Sequence, residues 1–387
     1  MEQAQIELLL QNDGVNKSSR FPCDEDEYQS ICKVLSLKDN HAYVKVVINP
    51  KGLKLIENTF VDLDEVNYLA KRIDGFDKRE TACFFAAIEK DDYLTVQDMI
   101  NLTFNLDCYT LVVNVLDLRK VGYNHELNRK GCLSSREIKK TDFEKIGREL
   151  ILSGKGYPTK YGLLFMNEDI EFCEEYKGKG FPSYYYTGAE VLGVEIKKDM
   201  ETDYIYFPCK ETEIVRALKR IGASDISECE KKVDFTPGSA IWYKYFDNLL
   251  KKNDIENINA ISIAINCLSV SMDRVAENLY KLASVMEFAG VTFDDTKKII
   301  LLAEYLDEFG YYRDINDDET LGRALPSDEY CIIPESMDKY MDYARYAQDF
   351  LKENGGAFTK NGDVVYLREG QTLSEILGEN DIKMGGI

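Results

Sequence analysis

Hydrophobic and polar positions follow two different periods in the first hundred residues of the chain. Residues 41–49 (HAYVKVVIN) alternate and are rich in β-branched side chains, which predicts a strand. Residues 63–73 and 78–90 repeat their apolar positions with the period of a helix, so two short amphipathic helices are expected. A third helix is expected over 95–106, which opens with a capping threonine. The pattern therefore predicts an α+β fold.

The same mixture of elements continues along the rest of the chain. The residues before 21 are interpreted as a polar lead, and a helix is expected after Pro22. Further strands are expected over 108–116, 161–167, 169–176 and 191–198, with a Tyr-rich turn over 182–188. A strand leading into a helix is expected over 203–222, and further helices over 142–152, 259–268, 273–290, 293–311 and 337–356. Asn361 and Gly362 predict a terminal hairpin.

Two pairs of similar stretches occur in the same order in the two halves of the chain. Residues 21–35 and 207–221 share Phe-Pro-Cys and three further identical positions, and residues 100–122 and 300–322 share six. This repetition predicts a diverged internal duplication. The alternative is a coincidence between two acidic helical regions. Duplication would make the fold an elongated chain of small α/β modules with an acidic surface.

The repeated stretches divide the chain into four expected parts. The first copy is expected over residues 1–125, a basic connector over 126–160 and a second, diverged copy over 161–325. The remainder, 326–387, is expected to form a C-terminal helix and hairpin. The length of 387 residues allows two or three domains, and 44% hydrophobic residues can fill their cores.

The charge of the chain is strongly acidic and unevenly distributed. Its 48 basic and 69 acidic residues give a formal net charge of −21. A field of this sign repels nucleic acid and anionic membranes and attracts basic surfaces, so we expect no direct binding to nucleic acid or membrane. Residues 118–160 contain 11 basic and five acidic side chains, whereas 304–343 contain 12 acidic and three basic ones. A basic segment therefore separates two acidic regions.

Patterns that indicate catalysis or cofactor binding are sparse. The two histidines, His41 and His125, lie in no metal-binding spacing, and no glycine-rich phosphate motif occurs. We therefore expect no catalytic residue, no cofactor and no metal. Ten cysteines without a Cys-x-x-Cys pair indicate reduced thiols. With no signal peptide and no apolar run of about 20 residues, the expected location is the cytoplasm.

The carboxylates on short helices are the residues that most need a functional explanation. Side chains three or four positions apart on a helix stand about 5–6 Å from each other. A strand of B-DNA presents one phosphate about every 3.4 Å along the axis. A series of acidic helices can therefore imitate the charge pattern of a duplex coarsely. The alternative is a solvated acidic face that serves solubility alone.

Two stretches in the first copy carry a resemblance to a known family. DLDEVNYLAKRI at 62–73, followed by TVQDMINLTFNLDCY at 95–109, resembles the antirestriction (ArdA) family, which mobile genetic elements carry. The resemblance covers roughly residues 20–125. The second copy keeps the order of the elements but not the residues of the motifs, so the chain is similar to longer, two-copy relatives of the short family members.

The resemblance implies a DNA mimic without enzymatic activity. Its carboxylates would stand in for DNA phosphates in the DNA-binding groove of a type I restriction-modification complex or another defence complex. The residues that match the family motifs are Asp62, Asp64, Glu65, Asp98 and Asp107. The charge pattern adds Asp24, Glu25, Asp26 and Glu27 in the first copy, and Glu304, Asp307, Glu308, Asp314, Asp317, Asp318 and Glu319 in the second.

Two other classes of function stay open from the sequence. An acidic protein-interaction scaffold, or a regulator of a mobile element without DNA mimicry, would bind its partner through apolar and tyrosine-rich contacts. An enzyme with an unrecognised carboxylate site would bind a divalent metal tightly. A homodimer is also open, as is a single chain in which duplication replaces the dimer.

Overall fold

The computed structural model describes residues 5–90, 95–183, 190–268, 272–328, 333, 335–368 and 372–378. The fold is mixed α+β with several small sheets, which confirms the predicted class. The chain divides into two compact units. The first comprises residues 1–186 with 201–203, and the second comprises 187–200 with 204–387.

The first unit begins with a hairpin, β1–β2, and its last two strands, β6 and β7, form another. Its strands are β1 (Ile6–Asn12), β2 (Val15–Phe21), β3 (His41–Asn49), β4 (Phe60–Asp62), β5 (Tyr109–Val112), β6 (Tyr157–Thr159) and β7 (Gly162–Met166). Its helices are α1 (Glu25–Val34), α2 (Leu63–Asp74), α3 (Lys78–Lys90), α4 (Val96–Phe104), α5 (Leu118–Lys130), α6 (Ser135–Lys140) and α7 (Phe143–Leu152). The strands form two antiparallel sheets, ordered β2-β1-β3-β4 and β5-β7-β6.

The second unit has a similar succession of elements. Its strands are β8 (Leu192–Lys198), most of β9 (Glu201–Phe207, of which 201–203 are assigned to the first unit), β10 (Glu230–Phe235), β11 (Phe309–Tyr312), β12 (Ala357–Phe358) and β13 (Val364–Leu367). Its helices are α8 (Glu211–Arg220), α9 (Ala240–Lys251), α10 (Ile255–Cys267), α11 (Met272–Ala289), α12 (Thr296–Glu304), α13 (Asp318–Asp328), α14 (Glu335–Asp338), α15 (Tyr343–Glu353) and α16 (Leu373–Ile376). Its sheets are ordered β10-β8-β9 and β11-β13-β12.

Each unit has one sheet formed mainly by its early strands and one formed by its late strands, and the strand orders of these sheets correspond between the units. The order β2-β1-β3 corresponds to β9-β8-β10, and β5-β7-β6 corresponds to β11-β13-β12. A side-chain contact also recurs: Asn67 accepts from the amide of Cys23 at 2.9 Å and donates to its carbonyl at 3.3 Å. Asn259 does the same with Cys209, at 3.0 and 2.8 Å. The two units are therefore alike in most of their element order and in this contact, although the second unit has α9 in place of β4 and ends with the additional helix α16.

The segment before residue 21 is a hairpin, so its interpretation as a polar lead was wrong. Ile6, Leu8 and Leu10 alternate along β1 and are completely or almost completely buried. Asp13 and Gly14 connect β1 to β2 with φ angles of +45° and +82°, which suit a two-residue turn between antiparallel strands. The Asp-Gly pair after an alternating stretch was the signal that could have predicted this hairpin.

The predicted boundaries of the first copy do not match the compact units. Strand β5 pairs with β7 along the whole length of β5, from Tyr109 opposite Met166 to Val112 opposite Leu163. The first unit therefore continues to residue 186, and the segment 126–160 is part of it rather than a connector. Residues 161–186 do not start the second copy, because β7 completes a sheet of the first unit.

The predicted separate C-terminal part, 326–387, likewise belongs to the second unit. The hairpin around Asn361 and Gly362 is confirmed, and its strand β13 pairs with β11 of the same unit. The last long helix begins at Tyr343, later than predicted. Most of the Tyr-rich turn over 182–188 lies outside the described residues.

A close helix pair, α5 and α7, organises the basic segment. A Cβ atom on Gly122 would collide with the carbonyl oxygen of Phe143, and one on Gly147 would collide with that of Leu118. In the second unit, a Cβ atom on Gly322 of α13 would collide with the carbonyl oxygen of Tyr343. The absence of a side chain lets the two helix backbones touch in both units.

We predict that Gly122→Ala and Gly322→Ala each lower the free energy of unfolding by roughly 1–3 kcal/mol, because the added methyl group forces the helix backbones apart. Gly75→Ala is the matched control. Its φ of −75° suits alanine, and its Cβ would lie 3.5 Å from the nearest carbonyl oxygen. Urea unfolding of the three variants tests this. Equal stability of all three would contradict the close contact.

Candidate functional site

Several of the predicted partner-binding carboxylates cap helices. Asp24 accepts from the amide of Glu27 at 2.8 Å, and Asp62 accepts from that of Asp64 at 2.7 Å. Asp317 accepts from the amide of Thr320 at 2.8 Å, and hydrogen bonds from Thr320 lower the pKa of Asp317. The first amides of a helix have no partner within it, so these carboxylates stabilise α1, α2 and α13.

Asp98 has a related structural role. It accepts from the amide of Thr95 at 2.9 Å, while its own amide donates to the Thr95 hydroxyl at 3.1 Å. This reciprocal pair is a capping box at the start of α4. The sequence correctly predicted the cap, but it did not separate this role from partner binding.

Two predicted carboxylates are buried and do not belong to an exposed surface. Glu25 and Asp64 are each 7% exposed. Gln29 donates to Glu25 at 2.6 Å, and Asn40 donates to Asp64 at 2.8 Å. Spacing along a helix could not distinguish these two from their neighbours, because burial depends on the elements that pack over them.

Other predicted carboxylates contact nearby polar or basic side chains. Glu27 pairs with Lys17 at 3.2 Å, and Glu319 pairs with Arg323 at 2.8 Å. Asp318 accepts from the side-chain Nε2 of Gln348 at 2.6 Å, and Asp314 lies 3.6 Å from Arg313. Exposed ion pairs of this kind contribute little to stability, so these residues stay available to solvent with part of their charge compensated.

The remaining predicted carboxylates are more accessible. Asp26, Asp107, Glu304 and Asp307 are exposed, and Glu308 is half-buried. Among the residues that the structure describes, neither Asp107 nor Glu304 has a hydrogen bond or ion pair through its carboxylate. Asp307 lies close to Lys281, whose pKa is lowered to about 8 by burial and by Arg368.

Two buried asparagines, Asn101 in α4 and Asn105 directly after its end, bind the segment that follows β7. Asn105 accepts from the amide of Cys173 at 2.8 Å and donates to its carbonyl oxygen at 2.8 Å. One turn earlier, Asn101 accepts from the amide of Tyr176 at 2.7 Å and donates to its carbonyl oxygen at 2.8 Å. Both asparagines therefore satisfy both backbone groups of one residue in a segment without regular structure.

This contact explains why the predicted strand over 169–176 does not form. The asparagine side chains bond backbone groups of Cys173 and Tyr176 that a sheet neighbour would otherwise use. At its start, Asn167 donates to the carbonyl oxygen of Asp107 at 2.6 Å. At its end, the Tyr176 hydroxyl donates to Glu65 at 3.0 Å. The start of the segment therefore contacts Asp107, and its end at Tyr176 contacts Glu65.

The segment carries exposed carboxylates that the sequence reasoning missed. Glu171, Glu174 and Glu175 are all exposed. Together with Asp107 and Glu65 they form what we name the acidic strip of the first unit. The stretch EDIEFCEE over 168–175 was the available signal, but its interpretation as a strand placed it in a sheet.

The basic segment meets the beginning of this stretch. Lys155 pairs with Glu168 at 2.7 Å, and Arg129 pairs with Asp169 at 3.3 Å. These ion pairs leave the first two acids partly compensated. The five members of the acidic strip are not among the residues that these two cations contact.

Glu65, at one end of the acidic strip, lies in a partly buried group of carboxylates. Burial raises the pKa of Glu65, although the Tyr176 hydroxyl opposes this, and repulsion from Asp62 raises it further. Burial and repulsion from Asp64 also raise the pKa of Asp62. The carboxylates of Asp62 and Glu65 therefore hold protons more tightly than exposed ones would.

The second unit has no equivalent of the asparagine pair in its described residues. Residues 100–122 align without gaps with residues 300–322. In this alignment Asn101 and Asn105 correspond to Leu301 and Tyr305. Of the predicted carboxylates in this unit, Asp307 and Glu308 lie in a short 3₁₀ helix over Leu306–Glu308, and Glu304 lies two residues before it. The acidic strip is thus a feature of the first unit.

Neither other side-chain chemistry in the described residues nor similarity to known proteins adds an assignment. In the described ranges, no group of three or more His, Cys, Asp or Glu side chains is arranged to hold a metal ion. None of the helices in the described part of the chain is long and apolar enough to cross a membrane. No protein-family model matches the chain, and no curated protein matches it.

We predict that Asp98→Ala lowers the free energy of unfolding by about 1 kcal/mol, because it removes the capping box of α4. Asp107→Ala removes the same charge without removing a described side-chain contact, so it should leave stability nearly unchanged. Urea unfolding of both variants separates the two roles. Equal losses of stability would mean that Asp107 also has a structural role.

We predict that Glu65→Gln stabilises the protein at neutral pH. The raised pKa of Glu65 means that the folded state binds its proton more tightly than the unfolded state, so wild-type stability falls as pH rises through that pKa. The amide keeps an acceptor for Tyr176 and carries no charge. The advantage should disappear below pH 4.5, the ordinary value for this side chain.

Chemical unfolding of wild type and Glu65→Gln between acidic and neutral pH measures this difference. Glu171→Gln, which removes a charge at an exposed position, is the matched control. A Glu65→Gln variant that is less stable at neutral pH would contradict this prediction. It would show that the hydrogen bond from Tyr176 to the charged carboxylate stabilises the fold by more than the burial of that charge costs.

Proposed function

We propose that the chain is a DNA-mimic antirestriction protein that binds, without catalysis, the DNA-binding groove of a type I restriction-modification complex. The acidic strip is the observation that carries the proposal. It contains exposed Asp107 and half-buried Glu65, which match the motifs of the antirestriction family, together with the exposed Glu171, Glu174 and Glu175. Another defence complex with a basic DNA groove would offer the same chemistry.

The role of the family-like motif INLTFNLDCY follows from the contacts of its two asparagines. Asn101 and Asn105 belong to this stretch, and they bind the backbone of Cys173 and Tyr176. Their amides orient a segment that carries acids at 171, 174 and 175. The motif therefore holds the segment in place, and the carboxylates that the segment exposes would contact the partner.

The protein carries too little negative charge to imitate a long DNA duplex fully. A net charge of −21 corresponds to about ten base pairs of duplex at two charges per pair. Shape and a few well-placed contacts must therefore supply much of the specificity. The net field would still speed encounter with a basic groove and make binding sensitive to salt.

The proposal includes an internal duplication with divergence of the acidic surface. It is supported by the matching order of elements, the corresponding sheet orders and the equivalent contacts of Asn67 and Asn259. Only the first unit's described residues contain the asparagine pair and the strip. We therefore assign DNA mimicry to the first unit and treat the acids of the second unit as a separate contribution to charge.

We predict that the protein inhibits DNA methylation and cleavage by a purified type I restriction-modification complex in competition with DNA. Inhibition should weaken as salt rises, because basic groups in the groove exchange protein carboxylates for salt ions. The triple variant Glu171→Gln, Glu174→Gln, Glu175→Gln should raise the inhibitory concentration at least about tenfold, which corresponds to about 1.4 kcal/mol.

The control variant removes three charges elsewhere. Glu144→Gln, Glu149→Gln and Glu353→Gln change exposed positions of α7 and α15, where Glu144 and Glu149 only pair with neighbours on their own helix. Its inhibition should stay close to that of wild type. Equal losses in both variants would indicate a non-specific effect of net charge, and no inhibition at any ratio would contradict the proposed target.

An acidic interaction scaffold is the second candidate, and one observation favours it. The loop after β5 exposes apolar side chains, with Val113 76% and Leu116 87% exposed. Apolar contacts of this kind would keep a complex together at high salt, whereas DNA mimicry requires the complex to weaken. The salt series in the inhibition experiment therefore distinguishes the two functions.

A further inference from the structure

An open groove lies on the first unit between α3, β5 and α5. Its volume is about 380 Å³, within the range of sites that bind ligands or side chains of a partner. The floor is apolar and includes Ala82, Leu111, Val112 and Val121. None of these belongs to the acidic strip.

The rim of this groove is basic in a chain that is acidic overall. Lys78 and Lys120 are exposed, and Arg79 is half-buried with one bond to Asn128 at 3.0 Å. The acidic side chain on the rim, Asp117, accepts from the amide of Lys120 at 3.1 Å as the cap of α5. The Asp117 carboxylate therefore already accepts a hydrogen bond within the unit.

The apolar surface continues past the groove. Val113 lines the groove and is 76% exposed, and Leu116, three residues further along the same loop, is 87% exposed. A small ligand that filled the groove would leave Leu116 in water. An occupant longer than one side chain would cover both.

The second unit fills the matching place with its own side chains. Glu89 and Glu287 accept from the amides of Lys160 and Lys360, which aligns α3 with α11. In that alignment Tyr280 stands where the first unit has Ala82.

Arg313 follows β11 as Val113 follows β5. Its guanidinium lies 4.1 Å from the centre of the Tyr280 ring, a cation–π contact across the matching position. The first unit, with alanine and valine there, leaves the space open.

We propose that this groove binds a peptide segment of a partner protein in which apolar side chains alternate with acidic ones. The apolar side chains would lie on Val112, Val113 and Leu116, and the carboxylates would pair with Lys78 and Lys120. Charge complementarity selects this chemistry, because the rim is basic and the floor cannot satisfy polar groups. The inference does not depend on DNA mimicry.

The test uses the full-length chain and a fluorescein-labelled ten-residue peptide of alternating leucine and glutamate. The matched probe replaces each glutamate with lysine. Fluorescence anisotropy should show binding of the glutamate peptide at least about tenfold tighter than that of the lysine peptide, even though the net charge of the protein favours the lysine peptide.

Two variants locate the binding. Ala82→Tyr with Val113→Arg introduces the pair that fills the second unit, and Lys120→Glu reverses a rim charge without touching the floor. Each should weaken glutamate-peptide binding at least about tenfold. Circular dichroism and inhibition of the restriction complex should match wild type, because neither variant changes the acidic strip.

Three outcomes would overturn the proposal. These are a preference for the lysine peptide, glutamate-peptide binding unchanged by both variants, and self-association of the chain that the double variant abolishes. The last would make a second copy the occupant. Failure of DNA mimicry in the inhibition assay would leave the peptide result intact, so the two proposals fail separately.

Discussion

The hydrogen bonds of Asn101 and Asn105 are the contacts on which the candidate surface depends. A buried side-chain amide can accept from a backbone amide and donate to a carbonyl, so it replaces a sheet neighbour for one residue. Two such residues one helical turn apart hold Cys173 and Tyr176 at fixed positions. Three exposed glutamates are thereby presented from a segment that has no regular structure of its own.

Acidic residues in this protein serve two different physical purposes. One group, including Asp62, Asp98 and Asp317, satisfies the free amides at helix starts and stabilises the fold. The other group is exposed and has its charge available to a partner. Both occur in short acidic stretches, so composition cannot separate them. Hydrogen-bond partners and burial do.

The sequence predicted local elements better than it predicted their assembly. Strand β3 and helices α2 and α3 follow from alternation and helical period, and the cap at Thr95 follows from its neighbours. The pairing of β5 with β7, which extends the first unit to residue 186, connects segments about fifty residues apart and leaves no local pattern. For the same reason Glu171, Glu174 and Glu175 were not predicted, since their position depends on Asn101 and Asn105, which are distant in sequence.

We propose that the acidic strip occupies the place of DNA in the groove of the partner. The most direct measurement is a structure of the full chain bound to a type I methyltransferase core. The account predicts that residues 171–176 lie within the DNA-binding groove, with Glu171, Glu174 and Glu175 facing lysine and arginine side chains that otherwise contact phosphates. A complex in which the groove is empty, or holds another face of the chain, would contradict it.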